Sequence, residues 1–169
     1  MSKKCKICGE YKKSEAFPVI DYVTKYRRKV CIHCNPVIEE IKVPDNSILY
    51  ICGYYDAEMD QRYLKFGYTI KTVQSRIDYT LKSWMSKSQS TPYVEVLLET
   101  HVDANILFQT EQHVLKELHK IYNESMFHNA LQIAGYKETF RVESKDDTHR
   151  FVKFVESEIA KVSAKRGED

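Results

Sequence analysis

The sequence predicts an α+β protein: a small antiparallel or mixed β-sheet flanked by helices, preceded by a small cysteine-bearing module. Three observations predict it. Segments of β-rich and helical periodicity alternate as β-β-α-β-α-β-α after residue 45. Two C-x-x-C pairs, Cys5 with Cys8 and Cys31 with Cys34, sit in the head of the chain. Asn35-Pro36 and the stretch Lys42 to Asn46 (KVPDN) carry turn chemistry between the two parts. Residues 1–40 are therefore expected to form one module and residues 45–165 one domain.

In the head, a C-x-x-C turn points two sulfurs at one ion, and two such turns make a closed four-thiolate site. So short a segment has no adequate core of its own, and a structural zinc ion would supply much of its folding energy. A closed site has no open position for a reacting water, so the expected role is structural. A disulfide pair is the alternative, disfavoured in a reducing compartment. His33 is an alternative ligand to one of the last two cysteines. Cys52 stands apart in an apolar run and reads as a buried thiol.

In the body, Ser47 to Tyr54 (SILYICGY) reads as a strand, DAEMDQ as a turn, and Arg62 to Tyr68 as the hairpin partner. Thr69 or Thr72 is expected to cap a helix with Val73, Ile77, Leu81 and Trp84 on its apolar face. Tyr93 to Thr100 reads as a strand, and Asp103 as the cap of a helix reaching about Tyr122. A short strand over Glu138 to Val142 follows. Asp146 or Asp147 is then expected to cap a last helix bearing Phe151, Phe154, Val155, Ile159 and Val162.

The chain has 169 residues, 43% of them hydrophobic, and a net charge of +2. That fits a folded soluble protein with a small appendage. No apolar run approaches the roughly 20 residues of a membrane span, and the start is not a signal peptide, so a cytoplasmic protein without a membrane partner is expected. The charge is unevenly placed. Lys3, Lys4, Lys6, Lys12, Lys13, Lys25, Arg27, Arg28 and Lys29 crowd the head against Glu10, Glu15 and Asp21, while the remainder is slightly acidic. A basic head suits a polyanion, with Lys25, Arg27, Arg28 and Lys29 as candidate DNA contacts; a solvated surface around thiolates is the other reading. The twelve tyrosines suit both a core and a nucleic-acid surface. No Gly-rich phosphate loop, Ser-His-Asp set or redox motif is present.

Two polar residues interrupt the pattern. Glu111 lies in the apolar stripe of its helix, with Leu107, Val114 or Leu115, and Leu118. A carboxylate there needs a partner, a metal or a raised pKa. A buried salt bridge, or a border position reaching water, would also account for it. Arg76 lies beside the apolar face of the first helix, where it could clamp a phosphate or simply flank the helix.

The pattern Ile48-Leu49-Tyr50, then Lys65-Phe66-Gly67, then Arg76, resembles the core of the GIY-YIG nucleases. The segment from Glu111 to Tyr122-Asn123 is similar to the metal-binding helix of the UvrC nuclease domain. Gly135-Tyr136-Lys137-Glu138-Thr139-Phe140 resembles the closing G-x-x-E-x-F segment of the branch common in phages. The head, with C-x-x-C-G-E-x-K-K and Phe17, looks like zinc modules attached to phage and mobile-element nucleases. The resemblance implies a DNA endonuclease using one divalent ion, Mg2+ or Mn2+, held by Glu111. It implies that Tyr50 positions or deprotonates the attacking water and that Arg76 neutralises phosphate charge. The second family tyrosine is Lys65 in this chain, so either Tyr68 or Lys65 would complete the site. Double-stranded DNA is the implied substrate, in a bacterial or phage-infected cytoplasm, and double-strand cutting would imply a homodimer or two successive events. A zinc-containing binding protein that has lost catalysis is the rival reading.

Overall fold

Residues 48–56 and 61–69 form the centre of the four-stranded sheet, and most of their side chains are buried, as in strands covered on two sides. The computed structural model describes residues 2–17, 27, 29–34 and 47–164. The chain divides into two compact units, residues 1–45 and 46–169. In the first, β1 (Ser2–Lys4) pairs antiparallel with β2 (Tyr11–Lys13), followed by a 3-10 turn at Ser14–Ala16. Lys25 and Arg28 lie outside the described residues.

In the second unit, β3 (Ile48–Asp56) and β4 (Gln61–Thr69) make a hairpin, β5 (Tyr93–His101) flanks β3, and β6 (Thr139–Val142) flanks β4. All pairings are antiparallel and the order is β5-β3-β4-β6. The architecture is α+β, as expected. The hairpin turn is held by Asp56, whose Oδ1 accepts from the backbone N–H groups of Glu58 and Met59. Asp60 takes the left-handed conformation (φ 49°) that Asp tolerates in such turns.

Alternation sorts the strands into two faces. Ile48, Tyr50, Cys52, Tyr54 and Tyr63 pack with Val73, Ile77 and Trp84 of α1 (Val73–Met85) and with Ile133. Phe127 and His128 of α3 (Met126–Leu131) close over Trp84. The Trp84 Nε1–H donates to Ser90 Oγ at 3.0 Å, and that hydroxyl donates to Asp56 Oδ2 at 2.6 Å, tying helix, loop and hairpin together. On the other face lie α2 (Leu107–Ile121) and α4 (Lys145–Ala164), where Phe140 of β6 meets Phe151 and His119.

Three boundaries differ from expectation, each for a local reason. Asp103 does not cap α2: its Oδ1 accepts from Asn105 N and holds a preceding turn, and the helix starts after Ile106 without a side-chain cap. Ser144, rather than Asp146 or Asp147, caps α4. Its Oγ accepts from Asp147 N and donates to the Asp147 carboxylate, a reciprocal arrangement that puts both aspartates in the first turn. The helix α3, capped by Ser125, was not expected, and Glu138 belongs to a 3-10 turn (Tyr136–Glu138) before β6. Of the two threonines ahead of α1, Thr72 is the cap, accepting from Ser75 N. No helix among the described residues is long and apolar enough to cross a membrane.

Candidate functional site

Strand β6 pairs only with Arg62 to Lys65. Phe66 to Thr69 of β4 are left as an open edge among the described residues, and groups from both faces can meet around it. Side chains from four elements act on one another electrostatically: Tyr50 from β3, Arg76 from α1, Glu111 from α2, and Glu138 from the turn before β6.

Tyr50 pairs across the hairpin with Gly67. A Cβ on Gly67 would lie 3.0 Å from the Tyr50 hydroxyl and 3.2 Å from its Cζ, so the ring lies over a position kept clear by glycine. The side chain is 1% exposed and its hydroxyl has no hydrogen-bond partner. Burial pushes the hydroxyl up to about 12, and the Arg76 charge beside it pulls the other way. The Arg76 Nε is likewise buried without a partner, while the guanidinium and the phenol act on each other. Burial works against the Arg76 charge, and the oxygens of Tyr50 and Glu138 outweigh it, raising its pKa.

Glu111 is buried in the α2 stripe, as its spacing predicts. One of its oxygens accepts from Gln112 Nε2 at 3.1 Å. Burial, reinforced by the negative charge of Glu138, raises its pKa to about 7; Gln112, Arg76 and the Tyr68 backbone N–H act in the opposite sense. A carboxylate in this condition is strongly favoured by an added cation.

Lys65 lies on the same face as Tyr50, opposite Cys52, and is 2% exposed. Its ammonium donates to the Ala134 carbonyl at 3.0 Å and to Thr80 Oγ1 at 3.3 Å, and lies 3.7 Å from Glu138 Oε2. Burial lowers its pKa and Glu138 holds it up. These contacts give Lys65 an internal task, anchoring the loop that carries Glu138, instead of a contact with an external phosphate. Tyr68 leaves the sheet on the opposite face, its ring edge-on to Phe108 at 6.3 Å, with its electrostatic influence reaching Arg76. Glu138 was named in the sequence only within the G-x-x-E-x-F resemblance; its ion pair with Lys65 and its charge acting on Tyr50, Arg76 and Glu111 mark it as a member of the site. A cleft of about 820 Å3 elsewhere, lined by Met59, Tyr63, Tyr122, Met126 and Arg141 among others, contains none of these groups.

In the first unit the sulfurs of Cys5, Cys8, Cys31 and Cys34 all lie within 4.8 Å of one another. Tetrahedral thiolates around one zinc-sized ion stand about 3.8 Å apart, from a metal–sulfur distance of about 2.3 Å. The four sulfurs are thus placed to hold a metal ion, without His33. Cys5 Sγ accepts from the N–H groups of Ile7 and Cys31, each at 3.4 Å. The Cys31 N–H is the main cause of a thiol pKa drawn down to about 6. Hydrogen bonding with Cys31, followed by burial, pushes the Cys34 thiol up to about 12. Phe17, fully buried with Cys5 and Cys31, is the small core of this unit. Arg27 packs it: its guanidinium donates to the Phe17 carbonyl at 3.0 Å and its own carbonyl accepts from Lys3 Nζ. Lys29 is exposed.

No protein-family model, no curated protein and no solved structure matches the chain.

Proposed function

We propose that the second unit is a phosphodiesterase that cuts DNA with the help of a divalent cation, and that the first unit is a zinc-held module that adds affinity for the duplex. The observation that carries the reading is that Arg76 acts electrostatically on both Tyr50 and Glu111, three groups from three elements, while the Tyr50 hydroxyl and Arg76 Nε are buried and unpartnered. Buried polar atoms without partners each cost about 1–3 kcal/mol, and a purely structural cluster has no reason to accumulate them. The order of these residues also agrees with the GIY-YIG resemblance.

On this reading Glu111 holds Mg2+ or Mn2+, a hard ion suited to a carboxylate and water shell, which when bound stabilises negative charge on the phosphate. Arg76 faces the scissile phosphate and offsets the charge that builds during displacement. Tyr50 orients the attacking water. Gly67 keeps the space over the Tyr50 ring open, and Lys65 fixes the loop from Ala134 to Glu138. In the head, Cys5, Cys8, Cys31 and Cys34 hold zinc as a closed structural site. Basic side chains such as Lys29 meet phosphates, contributing salt-dependent affinity more than sequence choice.

Single-turnover cleavage of a labelled duplex by Tyr50→Phe and Arg76→Ala tests the assignment. Each is expected to slow cleavage by about 100-fold or more with DNA affinity within a few fold of wild type. Full activity in both would refute it.

A further inference from the structure

Three buried polar atoms at the site have no hydrogen-bond partner: the Tyr50 hydroxyl, Arg76 Nε and Glu138 Oε2. They come from β3, α1 and the turn before β6, and each acts electrostatically on the others. Tyr50 is 1% exposed, so its hydroxyl has little access to bulk solvent. Their bonding capacities are complementary. Arg76 Nε–H only donates, the Glu138 carboxylate only accepts, and the phenol does both. A phosphate oxygen would satisfy the two donors but be repelled by Glu138. One molecule that accepts from Arg76 or Tyr50 and donates to Glu138 satisfies all three, and that molecule is water.

Glycine borders both ends of this cluster. A Cβ at Gly67 would stand 3.0 Å from the Tyr50 hydroxyl, and one at Gly135 would stand 3.0 Å from Glu138 Oε2. Lys65, 3.7 Å from Glu138 Oε2, holds the carboxylate in place from the interior side.

We infer that Glu138 is the proton acceptor for the attacking water, with Tyr50 and Arg76 orienting that water. The inference rests on the phosphodiesterase reading. In the step, the water oxygen forms the new bond to phosphorus as one of its protons passes to the Glu138 carboxylate. Tyr50 keeps its own proton throughout and carries no charge. The bond from phosphorus to the leaving oxygen breaks, the leaving oxygen keeps the electron pair and takes a proton from solvent, and Glu138 later returns its proton to solvent. A carboxylate acceptor removes the difficulty of a phenol, with an ordinary pKa of about 10, acting as a base near neutrality.

The test is single-turnover nicking of supercoiled plasmid at saturating Mg2+ by wild type, Glu138→Gln and Glu138→Ala, with DNA affinity and thermal unfolding measured beside it. Glu138→Gln is expected to nick about 100-fold or more slowly while remaining folded at the assay temperature and binding DNA, with some loss of thermal stability because Lys65 loses its carboxylate partner. Added formate is expected to restore part of the rate of Glu138→Ala, which a merely positioning role would not permit. Glu138→Gln nicking within about five-fold of an active wild type would overturn the inference alone. Absence of formate rescue, or loss of activity that tracks loss of folded protein, would overturn it too. An inert wild type would refute the phosphodiesterase reading and this inference with it.

Discussion

The Lys65 ammonium occupies the space that a side chain at position 135 would need. A Cβ built on Gly135 would lie 1.8 Å from Lys65 Nζ and 2.6 Å from its Cε, and Gly135 sits at φ 76°, where L side chains are strained. Glycine here, lysine on the neighbouring strand and the Ala134 carbonyl form one lock that sets where Glu138 points.

Gly135→Ala should therefore destabilise the protein by roughly 2–3 kcal/mol, combining backbone strain with displacement of a buried, hydrogen-bonded cation. Urea unfolding of wild type and variant measures it. A loss below about 0.5 kcal/mol would mean that Lys65 has another place to go.

Gly67→Ala separates position from stability. The added methyl meets the Tyr50 ring and hydroxyl at 3.0–3.2 Å, tighter than ordinary contact. The residue is in a strand at ordinary φ, so little strain is added. Cleavage is expected to fall by about ten-fold or more, with unfolding changed by only about 1 kcal/mol. Wild-type rates in the folded variant would show that the Tyr50 position is not critical.

The pH dependence of stability follows from Glu111. Its carboxyl ionises at about 7 in the fold, against a reference of 4.5. Between those values the unfolded chain releases a proton that the folded chain retains. Raising the pH from about 4.5 to about 7 therefore costs stability, on the order of 3 kcal/mol, and the cost stays constant above that. Melting curves without Mg2+ should show this loss in wild type and lack it in Glu111→Gln. Added Mg2+ should stabilise wild type more at pH 8 than at pH 6; equal stabilisation at both would argue against a cation at Glu111.

For the head, metal analysis of purified protein should find about one zinc per chain, lost in Cys31→Ser. Chelation should abolish the unfolding transition of the first unit and weaken DNA binding, leaving the second unit folded. Zinc retained by Cys31→Ser would contradict the four-thiolate site.

Much of the fold was legible because it rests on local rules. The hairpin showed in two β-rich runs around a polar turn, and Glu111 stood out because its stripe is otherwise aliphatic. The cysteines declared a cluster by spacing alone. Alternation also held information that went unused: Lys65 shares parity with Tyr63 and Gly67, so it points to the interior, and Tyr68 points away from Tyr50. The pairing Ser144 with Asp147 carries the spacing of a capping box. The six-residue α3 has too few turns for periodicity, and its formation depends on Phe127 and His128 packing on Trp84. The place of Glu138 depends on a distant lysine and a left-handed glycine, which no local pattern joins.

The most direct test of the account is the conversion of supercoiled plasmid by zinc-loaded wild type and Glu111→Gln, with Mg2+ present or omitted. The account predicts nicked or linear product only from wild type with Mg2+. Intact plasmid from a folded, DNA-binding wild type at every metal concentration, or undiminished cutting by Glu111→Gln, would contradict it.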